Sequence, residues 1–157
     1  MTWTAEQATE ELLQVLPLLN RIVAGEVRAV AGDETTMGQF RVLAQLAEEP
    51  LTLSTLARRR RVSLQAMSVL IQSLVERGWI ERTPDPHDRR QQLLRLSDHG
   101  RKHYQQAQLQ ILERLLPLMR ALSPAELRAV EQALPALGRV LTQEESAVAA
   151  QSREVGE

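Results

Sequence analysis

The sequence contains no cysteine, which removes disulfides, thiol catalysis, thiol redox sensing and Cys-ligated zinc together. Aromatic residues are nearly absent too: Trp3, Phe40, Trp79 and Tyr104 are the full set. A core must therefore be assembled from Leu, Val, Ile, Ala and Met. No apolar run approaches the roughly 20 residues that a bilayer span requires. The first residues, MTWTAEQATEEL, carry acid where a secretion signal needs basic and then apolar residues. A cytoplasmic chain with no membrane partner is expected. Catalytic signatures are missing as well: there is no Gly-rich phosphate loop and no nucleophile elbow. Asp85, His87 and Asp88 lie together, but in a Pro-bounded loop where burial is too slight to tune their acidity. Neither an enzyme nor a bound cofactor is expected.

What the chain does have is charge of one sign in one place. Its formal net charge is −1, yet residues 51–103 hold eleven basic and five acidic side chains, and the rest hold eight basic and fifteen acidic ones. A basic middle between acidic ends fits a polyanion met by one lobe only. At 157 residues the chain reads as a single unit, 1–157.

Apolar residues at three and four spacing, from Leu12 through Leu16, Leu19, Val23 and Val27 to Val30, predict a long helix over residues 5 to about 30, with Pro17 kinking or dividing it. A second helix follows from about 36 to 47, capped by Thr35 or Thr36, with Phe40, Leu43 and Leu46 inward. Thr52 caps a short helix to Arg60, and Ser63 caps another over 64–77 that stops at Gly78. Residues 79–83 and 92–96 read as strands joined by a loop of turn formers and Arg. Ser97 starts a helix reaching about Ala121, with Pro117 as a late kink. Ser123-Pro124-Ala125-Glu126 starts the last helix, interrupted by Pro135; its apolar stripe is lost from about Gln143, and the last dozen residues are expected to fray.

Two short helices, a stop, a strand, a basic loop and a second strand describe a helix-turn-helix with a β-hairpin wing. The fold class expected is mainly α with a small β-hairpin wing. A DNA major groove admits one helix whose outward side chains reach base edges, while flanking groups grip phosphates. The outward face of the 64–77 helix is polar but almost uncharged: Gln65, Ser68, Val69 and Gln72, with Ser63 at its start. Such a face suits base edges better than solvent, where Lys and Glu are commoner. The two Gln amides match adenine and Val69 a thymine methyl. Arg58, Arg59, Arg60 and Arg61 stand at the preceding turn, and Arg89 and Arg90 at the wing tip beside Asp88. The partner expected is double-stranded DNA. The rival class is a helical protein-interaction module without DNA.

The span from about 36 to 100 resembles the MarR family of winged-helix transcription regulators. The wing carries the most specific part: Asp88, Arg90 two residues on, Leu96-Ser97 six residues later and Gly100 three further. Leu56-Ala57, Val62-Ser63 and the run LVERGWIER ending at Arg82 also fall where that family has its helix-turn-helix and the approach to its wing. The resemblance implies a homodimer, with residues 1–32 and 98–150 as dimerisation helices around a DNA lobe of residues 36–97. It also implies that Arg90 enters a minor groove, that Asp88 orients the wing, and that a pseudo-palindromic operator is repressed. Release by a small, often aromatic or phenolic effector is implied too; Asn20, Arg41, His99 and His103 are the residues we expect to line its site. His99 and His103 also have the i, i+4 spacing of two zinc ligands, but no third ligand stands beside them in sequence, so no metal site is expected. The chain departs from the family at Arg60, usually apolar, at Arg61, usually Gly, and at Val69, often basic. Phosphate grip is thus expected to have moved from the recognition helix to the Arg cluster.

Overall fold

The computed structural model describes residues 3–31, 36–86, 88 and 90–154. Six helices and three short strands follow one another: α1 (Ala5–Ala31), α2 (Met37–Glu48), β1 (Leu51–Thr52), α3 (Leu53–Arg59), α4 (Leu64–Glu76), β2 (Ile80–Pro84), β3 (Gln92–Leu96), α5 (Asp98–Arg120) and α6 (Pro124–Glu154). The chain is therefore mainly α with a winged hairpin, as expected, and β1 is an addition. Leu51 and Thr52 pair antiparallel with Leu94 and Leu93, so the sheet has the order β1-β3-β2.

Helix starts follow the caps written in the sequence. Thr36 and Gln39 form a reciprocal capping box, which settles the choice between Thr35 and Thr36; Thr35 itself lies outside the described residues. Thr52, Ser63 and Ser97 each accept a backbone N–H three residues on. Gly78 adopts φ +70° and ends the α4 segment in the left-handed conformation that Gly enters cheaply.

The prolines do not break their helices. Pro17, Pro117 and Pro135 lie inside α1, α5 and α6, which run unbroken through them. Each removes one bond to the carbonyl four residues back. Those carbonyls belong to the exposed residues Leu13, Glu113 and Glu131, where water can replace the lost donor. The expected fraying of the last dozen residues is corrected as far as Glu154, to which α6 continues, in a run rich in Ala, Glu and Gln that favours helix without needing an apolar stripe; residues 155–157 lie outside the described residues.

One core lies in the lobe. Val42, Leu43 and Leu46 of α2 pack with Leu56, Ala57, Met67, Ile71 and Leu74 of α3 and α4, closed by Trp79, Ile80, Leu94 and Leu96 from the sheet. Gln39 is buried among them but satisfied, its Nε2 donating to Ser73 Oγ at 2.9 Å. α5 is latched to this lobe at its first turn. Ser97 N–H donates to the Trp79 carbonyl at 3.0 Å and Ser97 Oγ donates to the Gly78 carbonyl. Gly100 lies so close that an added Cβ would sit 2.0 Å from the Trp79 oxygen. α1 packs along α5, but Leu13, Leu16 and Leu19 stay exposed, and among the described side chains of its stripe only Val27 is fully buried.

Candidate nucleic-acid interface

The turn between α3 and α4 is built by three backbone bonds: Arg60 N–H to Leu56 O, Arg61 N–H to Arg58 O and Val62 N–H to Ala57 O. It requires one residue in the left-handed region, and Arg61 supplies it at φ +52°. Among the described residues no other non-Gly position has positive φ. The turn therefore keeps the geometry that Gly would enter freely, and Arg61 bears a conformational cost of about 1 kcal/mol to put a guanidinium there.

The recognition helix presents the face read from the sequence. Gln65, Ser68, Val69 and Gln72 are all exposed, Val69 to 69%, while Met67, Ile71 and Leu74 are buried on the opposite side. Ser63 Oγ accepts the Ala66 N–H at 3.1 Å, which leaves its hydroxyl proton to donate outward. Gln72 is tied down: its Nε2 donates to Glu76 Oε1 at 3.0 Å, and its Oε1 accepts from Arg82 Nη2 at 3.1 Å.

Of the Arg cluster, Arg59 Nη2 meets Glu49 Oε1 at 2.7 Å, an exposed pair of small net worth that a phosphate can displace. Arg58 and Arg60 are half-buried and Arg61 is exposed. At the wing tip, Asp88 organises the turn. Its Oδ1 accepts the Arg90 N–H at 3.0 Å and its Oδ2 accepts from Gln91 Nε2 at 3.1 Å, leaving the Arg90 side chain exposed. Arg89 lies outside the described residues. Between helix and wing runs a groove of about 430 Å³ whose walls include Thr52, Ser54, Ser68, Arg82, Gln91 and Gln92.

Arg82 and this groove were not read as site residues from the sequence. One signal was available. On β2 the period of two puts residue 82 on the same face as buried Ile80, opposite buried Leu94, so an Arg there departs from the expected apolar residue.

The four expected effector residues do not converge. Asn20 and Arg41 do meet, with Arg41 Nη2 donating to Asn20 Oδ1 at 3.1 Å. His99 is exposed at the start of α5. His103 instead stacks on Trp79, ring centroids 3.9 Å apart, with the Arg77 guanidinium 5.1 Å from the indole centroid. Burial, then His99 and Arg77, hold the His103 pKa below its ordinary value. Among the described residues no group of three or more potential metal ligands occurs. A cleft of about 710 Å³ does open between α1, α2 and α5. Val23, Phe40, Tyr104, Gln108 and Leu112 are among its lining, but none of the four expected residues is. Burial and then Glu48 push the Tyr104 hydroxyl pKa up, so it stays a neutral phenol.

Known proteins share this arrangement. A family model described as the MarR family matches residues 35–91. The transcriptional regulator AdcR of Streptococcus pneumoniae is 42% identical over 66 residues, covering 42% of this chain and 45% of AdcR; the chain thus spans less than half of that relative's length. The crystal structure of RV1404 from Mycobacterium tuberculosis superposes with a TM-score of 0.79 at 28% identity, over 89% of this chain and 95% of that one. A mutant MarR from E. coli, solved in complex with operator DNA, shares the fold with a TM-score of 0.60 at 22% identity, over 86% of this chain and 99% of that one. The wing motif, the capped helix-turn-helix and the fold agree with the family match: residues 35–91 form a MarR-family segment, within a chain whose overall fold is that of MarR regulators.

Proposed function

We propose that this chain is a MarR-family transcriptional regulator, a cytoplasmic homodimer that binds a pseudo-palindromic DNA operator and represses from it. The observation that carries this reading is the exposed, nearly uncharged face of α4 set between basic groups on both sides. Gln65, Ser68, Val69 and Gln72 meet base edges in the major groove, and Ser63 with Arg58, Arg59, Arg60 and Arg61 grips phosphates. Asp88 holds the wing tip so that Arg90, with Arg89 beside it in sequence, reaches the minor groove. The lobe of residues 36–97 does the binding, and residues 1–32 and 98–150 do the pairing.

Pairing is supported by leucines left in water: Leu13, Leu16 and Leu19 on α1, Leu109 and Leu112 on α5, Leu134, Leu137 and Leu141 on α6. Continuous apolar faces of this size are covered in stable proteins, and two-fold self-association is the commonest way. Half-sites about one helical turn apart follow from two-fold symmetry.

The cleft between α1, α2 and α5 is the place for a small aromatic effector, with Phe40 and Tyr104 as ring partners 5.4 Å apart. Such a molecule releases DNA only by binding the non-DNA conformation more tightly.

The test is fluorescence anisotropy of the full chain on its own upstream intergenic DNA across a salt series with unrelated competitor. Two subunits per site are expected, with a log–log salt slope of about seven for some eight phosphates per dimer. Absence of binding to any duplex at low salt would replace this reading with a helical interaction module.

A further inference from the structure

Gln72 is the one recognition-face side chain whose two amide ends are both engaged, and the chemistry of its partners permits a single arrangement. A guanidinium only donates, so the amide atom facing Arg82 must be oxygen. A carboxylate only accepts, so the atom facing Glu76 must be nitrogen. Turning the amide over would set N–H against guanidinium and oxygen against carboxylate, losing both bonds and adding two repulsions. Among the described residues Gln65, on the same face, has no such tether.

An unheld Gln can present its acceptor and donor to a base pair in either order, and reading adenine needs one of them. Each end of the held amide keeps spare capacity: oxygen has a second lone pair and nitrogen a second proton. The side-chain entropy that a free Gln would lose on contact is already spent.

We propose that Arg82 and Glu76 form a clamp that fixes the order in which Gln72 offers acceptor and donor to DNA. Arg82 is then a positioning residue for sequence specificity although it stands on β2, at the root of the wing. Because it also walls the groove between wing and helix, the position of the wing is transmitted to the reading of one base pair in each half-site. This rests on the DNA-binding reading above.

The experiment is selection of the full chain on a random duplex library, followed by competition anisotropy against all four base pairs at each selected position. Gln72→Ala defines the position read by Gln72. Arg82→Ala and Glu76→Ala should each lower discrimination there by about fivefold to tenfold, with Arg82→Lys recovering part of it. The Arg82→Ala, Gln72→Ala double variant should discriminate no worse than Gln72→Ala alone. Glu76→Ala gives the sharpest contrast. Removing an acid beside DNA should hold or raise affinity for random duplex while selectivity falls, and its exposed place on α4 keeps the test intact if Arg82→Ala fails to fold. A uniform loss over all sequences with a shallower salt slope in Arg82→Ala, and an unchanged profile in Glu76→Ala, would make Arg82 a phosphate contact and overturn the clamp. A wild-type chain that selects no sequence would instead overturn the DNA-binding reading, and the clamp with it.

Discussion

Leucine behaves oppositely in the two parts of this molecule. In the lobe, Leu43, Leu56 and Leu74 are wholly buried; on the terminal helices Leu134 and Leu141 are 61% and 59% exposed. A leucine brought fully out of water contributes about 1.5–3 kcal/mol, a gain that the lobe realises within one chain and that α1, α5 and α6 leave unrealised. The lobe is a complete core that carries the polar face of α4 on its outside. The long helices leave an apolar face in water and are joined to the lobe by the first turn of α5, by Tyr104 packed against the core beside Phe40, and by the Arg41–Asn20 hydrogen bond.

The largest effect should come from breaking that attachment. Gly100→Ala forces a methyl into the Trp79 carbonyl, with backbone rather than a flexible side chain in the way. We expect a loss of at least about 3 kcal/mol in urea denaturation, and an unchanged midpoint would remove the latch from the account. Next, Leu56→Ala should cost about 2–5 kcal/mol by opening a cavity in the lobe. Leu141→Glu should leave the lobe's own stability within about 0.5 kcal/mol yet lower the dimer fraction in sedimentation. If both substitutions unfolded the chain alike, the two regions would be one cooperative core.

A smaller effect separates stability from binding at Arg61. Arg61→Gly should stabilise the chain by about 1 kcal/mol as the left-handed residue is relieved. It should also reduce the DNA salt slope by about one per subunit. Stabilisation with an unchanged slope would make Arg61 a bystander.

The smallest effect is one of pH. The folded pKa of His103 lies below its ordinary 6.5, so the unfolded chain takes up the proton first as pH falls. Stability is then fully present above about 6.5 and declines as pH falls from there through the folded pKa. His103→Phe keeps a ring against Trp79 and should flatten that part of the stability–pH curve; an unaltered slope would assign it to another group.

Much of the lobe was legible because its signals are local. Ser63 and Gly78 bracket α4, and Gln92–Leu96 forms β3 as its pattern suggests; that Arg61 keeps a left-handed turn, at φ +52°, only the structure gives. β1 was not legible, since two residues gain strand character only by pairing with Leu93 and Leu94, about forty positions away. That Pro17 and Pro135 would not divide their helices was not legible, because the cost of a proline depends on whether the orphaned carbonyl can reach water, which periodicity does not report. Pairwise contacts fared worst. Asn20 and Arg41 are neighbours, yet nothing in their spacing, or in that of His103 and Trp79, specifies a side-chain partner.

The latch at Gly100 makes α5 a lever arm. At about 1.5 Å per residue its 23 residues span roughly 35 Å, the first turns packed on the lobe through Tyr104 and the rest running beyond it. A tilt of about 5° at the Trp79 pivot then moves the distant end by about 3 Å, comparable with one methylene group wedged between helices. Because the first turn of α5 is fixed to the backbone of Trp79, directly after the Gly78 stop of α4, a displacement at the far end of α5 would reach α4 as a change of aim.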